Sequence, residues 1–147
     1  MSAAPKSSPD ATDVEWRLSR HPRGVGRART LLRAQAGVWQ LSDDTAETAV
    51  LLLSELVTNA VRHSRVGGRY IGTRCVLRAD ALRVEVSDAG DGLPALRTAR
   101  DDEEAGRGLA LVQALSTAWS ADPRPYGIGK TVWFELSVRR GGVAPPA

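Results

Sequence analysis

The segment from Thr45 to about His63 constrains this chain more than any other. Placed around a helix, Leu51, Leu52, Leu53, Leu56, Val57, Ala60 and Val61 cover nearly the whole circumference, so its middle must be largely buried. Glu55 projects between Leu51 and Leu52. A lone buried carboxylate is expensive, and it needs a hydrogen-bonding partner, a shifted pKa or an opening onto a ligand. Asn59 and His63 follow at i+4 and i+8, which places the three polar groups on one slowly drifting stripe. A polar seam satisfied inside the protein is the competing reading of that stripe taken alone.

The flanking sequence supplies the other elements. Val14, Trp16 and Leu18 alternate with charged residues, the period of a short half-buried strand. Pro22 suits a first helical turn, and Val25, Ala28, Leu32 and Trp39 recur at helical spacing until Gln40-Leu41-Ser42-Asp43 breaks the pattern. Ser42 or Asp43 caps the central helix, which ends before Gly67-Gly68. Tyr70 to Leu77 and Leu82 to Asp88 read as two strands of a hairpin joined by Ala79-Asp80-Ala81. From Ala89 to Gly108 the chain is loop-like, with Pro94 and the acidic run Asp101 to Glu104, and Leu93 to Ala105 has the composition of a lid. Leu109, Leu111, Val112, Leu115 and Trp119 mark a third helix beginning at Gly106-Arg107-Gly108, and Thr131 to Val138 alternates as a final strand. Residues 13–139 are expected to form one domain, with disordered tails at 1–12 and 140–147.

A chain of 147 residues buries a core without staples. Its single cysteine, Cys75, excludes an internal disulfide and any CxxC metal or redox motif, which suits a reducing cytoplasm. No run approaches the roughly 18 apolar residues of a membrane span. The net charge of +3, from 20 basic and 17 acidic side chains, is a mild excess. Arg17, Arg20, Arg23, Arg27, Arg29 and Arg33 cluster near the N-terminus, but aromatic interleaving and a nucleic-acid motif are missing, so the solvated face of an amphipathic helix is the preferred reading over a nucleic-acid footprint.

Three further constellations carry chemistry. In the strand ending at Asp88, Leu82, Val84, Val86 and Asp88 share one face, so a carboxylate points where the apolar residues point. Gly90 and Gly92 follow at once and permit close approach of the backbone to a ligand, although an Asp-Gly turn is the simpler reading of that stretch by itself. Gly106-Arg107-Gly108 before an apolar helix offers N–H groups, freedom of the backbone and an arginine, a combination that suits a phosphate, with a plain glycine hinge as the alternative. Gly127-Ile128-Gly129-Lys130-Thr131 imitates the end of a P-loop, but the first required glycine falls at Arg124 and excludes a Walker A site. Gly90 to Ala95 fits GxGxxA after a strand, yet Pro94 and the acidic loop leave no helix after it for a dinucleotide fold.

In combination, Glu55-x-x-x-Asn59, Asp88-x-Gly90-x-Gly92, Gly106-x-Gly108 and Gly129-x-Thr131 resemble the ordered boxes of the GHKL ATPase superfamily over roughly residues 14 to 138. The wording Ser54 to His63, Gly106 to Val112 and Gly129 to Phe134 is similar to the branch of anti-sigma-factor serine/threonine kinases. The resemblance implies a two-layer α/β sandwich, a mixed, mostly antiparallel sheet with helices on one face. It implies ATP and Mg²⁺ as cofactors, with Asp88 accepting the adenine amino group assisted by Thr131, and Asn59 ligating magnesium. Arg107 and the N–H groups around Gly106 and Gly108 would hold phosphates, with His63, Gly90, Gly92 and Leu109 also in the ATP site. Glu55 would be the catalytic base. The implied partners are an anti-anti-sigma protein of the STAS type, a sigma factor and a second copy of the chain, with no direct nucleic acid and no membrane. A non-catalytic nucleotide-gated regulator and a stand-alone ATPase are the alternatives.

Overall fold

The computed structural model describes residues 12–63, 70–88, 103–123 and 129–138, and the side chains of 63 and 103–107 are outside this description. Its elements run β1 (Asp13–Ser19), α1 (Pro22–Val38), α2 (Asp43–His63), β2 (Tyr70–Leu77), β3 (Ala81–Asp88), α3 (Glu103–Leu115), β4 (Ala118–Pro123) and β5 (Lys130–Ser137). The five strands form one sheet in the order β1-β2-β3-β5-β4. Every pairing among the described residues is antiparallel, in keeping with the expected mostly antiparallel sheet. The expected helical layer covers one face.

Alternation along the strands decides which face is covered. Leu18, Ile71, Cys75, Leu82, Val84, Val132 and Phe134 point at the helices and are buried. The opposite face is polar: Arg83 pairs with Glu85 and Glu135 and lies over the Trp133 ring, while Arg17 lies over Tyr70. Such a face tolerates water, which is why no second helical layer is needed on it.

The helix ends follow from local chemistry. The His21 side chain accepts from the Arg23 N–H ahead of Pro22, so α1 begins where sequence placed it. Gly24 then approaches β1 closely: a Cβ there would lie 2.3 Å from the Ser19 carbonyl oxygen, so only glycine fits. At the other end Gln40 takes φ 58°, Gln40 N donates to the Gly37 carbonyl and Leu41 N donates to the Ala36 carbonyl. This is the paired bonding of a Schellman ending, with glutamine where glycine is usual. Ser42 caps α2 by accepting from Thr45 N at 3.2 Å, and Asp43 and Asp44 sit at the positive end of its dipole.

In α2, Leu52, Leu53, Leu56, Val57 and Ala60 are buried as expected, but Leu51 is 41% exposed. The helix therefore has a narrow outward edge. The third helix differs more. It begins at Glu103, before Gly106, so Gly106, Arg107 and Gly108 lie inside it rather than ahead of it. Trp119 is not its last anchor but part of β4, a strand that sequence periodicity missed. Ser116 and Thr117 end the helix: the Ser116 hydroxyl donates to the Val112 carbonyl, and Thr117 donates from both N and Oγ1 to the Glu135 carbonyl. That exchange of partners, from α3 to β5, turns a helical pattern into an edge strand.

Candidate functional site

β3 carries Asp88 to the end of the sheet on its covered face, as the strand alternation requires. The residue is 4% exposed. Directly opposite in the β3–β5 register stands Lys130, itself 5% exposed, and its Nζ lies 3.3 Å from Asp88 Oδ1. A buried carboxylate needs a compensating charge or donor, and Lys130 supplies both. In the sequence Lys130 falls within a failed P-loop and within the family-like stretch Gly129 to Phe134, and neither reading gives it a role of its own. The signal was its register: two residues of antiparallel neighbours that face each other share one side of the sheet.

Thr131, the next residue, must then point the other way. Its Oγ1 lies 2.7 Å from the Ser87 hydroxyl on the open face. The structure therefore places Thr131 on the face opposite to Asp88, and Lys130 is the residue that faces the carboxylate.

The second cluster forms where α2 meets α3. A Cβ on Gly108 would lie 2.7 Å from Glu55 Oε1 and 3.5 Å from Glu55 Cβ. Glu55 is thus tucked against the α3 backbone at the one position where the absence of a side chain makes room for it. Its carboxylate is half-buried, not sealed in the core. One turn along α2, Asn59 has a buried Nδ2 with no hydrogen-bond partner. A half-turn of that amide exchanges donor and acceptor, so the group offers a ligand either an N–H or an oxygen. Buried unpaired amides are uncommon, and one on the same stripe as Glu55 fits a ligand rather than an internally satisfied seam.

The remaining expected residues divide plainly. Leu109 is buried in the core between α3 and its neighbours. Gly106 and Arg107 lie within α3, which commits the Gly108 N–H to the helix and moves the uncommitted N–H groups toward Glu103. His63 ends α2, with its side chain outside the described residues, as are Gly90, Gly92 and all of the expected lid but its last three residues. Among the described residues no group of three His, Cys, Asp or Glu side chains is placed to hold a metal. No helix among them is long and apolar enough to cross a membrane.

The site thus has a carboxylate at the end of a core strand and an acid–amide pair on α2. The profile described as "Histidine kinase-like ATPase domain" matches residues 18–136, which includes both. The chain belongs to this family. Among solved structures, the histidine kinase domain from Erythrobacter litoralis EL346 blue-light activated histidine kinase is similar with 21% sequence identity and a TM-score of 0.46, over 86% of this chain and 68% of that one. No curated protein matches. The histidine kinase-like ATPase domain described here thus has its two polar clusters at Asp88–Lys130 and at Glu55–Asn59–Gly108.

Proposed function

We propose that the domain is an ATP-dependent serine/threonine protein kinase of the anti-sigma-factor type, acting on a hydroxyl of a STAS-type anti-anti-sigma protein and binding a sigma factor, as a homodimer. The observation that supports a catalytic role is the placing of Glu55 against Gly108, which brings a carboxylate from α2 to the helix that contains Gly106-Arg107-Gly108. The residues fit a nucleotide: Asn59 carries the orphaned buried amide, and Asp88 is an acceptor at the end of its strand. When bound, Mg·ATP supplies the phosphoryl group and the charge that neutralises it. Asn59 would give the cation an oxygen ligand, and magnesium takes the rest of its oxygens from phosphates and water. Glu55 accepts the proton of the attacking hydroxyl. Asp88 fixes the base.

A second reading, a nucleotide-gated regulator without turnover, is favoured by the same contact. Glu55 Oε1 packs on Gly108 of α3, which limits the side from which a hydroxyl can approach it. Transfer of label from γ-labelled ATP to a STAS partner separates the two. Glu55→Gln keeps size and hydrogen bonding but removes the base, so transfer should fall by ~10²–10⁴ with nucleotide affinity retained. Joint loss of affinity and folding in that variant would mark Glu55 as structural, and nucleotide binding with no transfer by the unaltered chain would favour the regulator.

A further inference from the structure

Lys130 has bonding capacity beyond what it uses among the described residues. An ammonium carries three donors, and the only hydrogen bond or ion pair of Lys130 among the described residues is the 3.3 Å contact to Asp88 Oδ1. The side chain is 6% exposed, so water does not freely satisfy the remaining donors. Buried donors without partners are costly and mark sites where a ligand completes the bonding. The ligand has to tolerate an acceptor and a donor side by side. A phosphate does not, since it would meet the Asp88 carboxylate together with the ammonium. The edge of adenine does: its 6-amino group donates and the adjacent N1 accepts.

We propose that Lys130 is a second base-reading residue, donating to N1 of adenine while Asp88 accepts from the 6-amino group. This rests on the nucleotide reading of the site given above. Both side chains come from facing positions of β3 and β5, so their spacing is set by the sheet and not by a loop. The pair is then an adenine clamp with one acceptor and one donor side by side. Removing Asp88 takes away the described partner of the buried Lys130 ammonium.

The test compares ATP with 1-deaza-ATP, which has C–H in place of N1 and is otherwise the same shape, by calorimetric titration against the unmodified chain. ATP should bind roughly tenfold or more tightly than the analogue, the scale of a hydrogen bond to a charged group. Lys130→Met should bring ATP down to the level of the analogue and should barely distinguish the two. Equal binding of both nucleotides by the unmodified chain, with Asp88→Asn still weakening ATP, overturns the role of Lys130 and leaves the nucleotide site standing. So does a Lys130→Met chain that keeps the full preference for ATP. Absence of any ATP binding overturns the site and this inference together. Should Lys130→Met fail to fold, the analogue comparison on the unmodified chain decides alone.

Discussion

Gly108 and Glu55 form one unit, because the glycine is what leaves room for the carboxylate. Gly108→Ala would place a methyl 2.7 Å from Glu55 Oε1, and the far end of that flexible side chain must move aside. A glycine inside a helix costs roughly 0.5–1 kcal/mol relative to alanine, so unfolding in denaturant should show Gly108→Ala stabilising the chain less when Glu55 is present than in the Glu55→Ala background. Simple additivity of the two substitutions would dissociate the pair. Cys75 offers a contrasting case with no ligand role. It is fully buried, and burial pushes its thiol well above the ordinary 9.0. A thiol raised on folding contributes stability that is present below its unfolded pKa and is lost as pH rises beyond it. Stability should therefore decline above about pH 9, more steeply than in Cys75→Ala. Native protein should also resist thiol reagents that label the unfolded chain at once.

The link between α1 and α2 is short and tightly specified. Gln40 sits in the left-handed region at φ 58°, where a side chain is unfavourable and glycine is not. Gln40→Gly should accordingly stabilise the fold by ~0.5–1 kcal/mol, measured as a higher denaturation midpoint with unchanged slope. A fall would mean that the glutamine side chain has a role of its own. The same turn delivers Leu41 to the core and Ser42 to the cap of α2, so its geometry fixes where α2 starts. Because Glu55 and Asn59 ride on α2, the register of that start also sets which of its faces meets α3.

At the scale of the molecule, the domain places helices on one side of an antiparallel sheet and leaves the other side polar. A ligand held between strand ends and α2 stabilises the folded state by mass action. At a hundredfold excess over its dissociation constant, Mg·ATP should add ~2.7 kcal/mol, a rise in Tm of roughly 5–10 °C for a chain of this size. Differential scanning with and without nucleotide checks this, and an unchanged Tm at saturating Mg·ATP would count against a nucleotide site. The shift should be smaller in Asp88→Asn, which loses the acceptor for the base. It should be retained in Glu55→Gln, which does not.

The strands at Asp13–Ser19, Tyr70–Leu77, Ala81–Asp88 and Lys130–Ser137 were legible because side chains alternate at a period that any neighbouring strand preserves. The helices at Pro22–Val38 and Asp43–His63 were legible through Pro22, Ser42 and their apolar spacing. The inward direction of Asp88 and the shared stripe of Glu55 and Asn59 followed from the same local periods. What sequence periods cannot carry is pairing between distant segments. Trp119 continued a helical spacing, and only the Thr117 bonds to Glu135 made it part of a strand. Thr131 was matched to Asp88 by motif, and only the β3–β5 register showed that Lys130 faces the carboxylate while Thr131 faces Ser87. Likewise the contact of Gly108 with Glu55 joins residues far apart in the chain, through helix packing that no local pattern encodes. Local chemistry thus determined the elements and which way their side chains point, and tertiary packing decided which of those side chains meet, since a contact depends on the positions of two backbones and a sequence pattern describes one at a time.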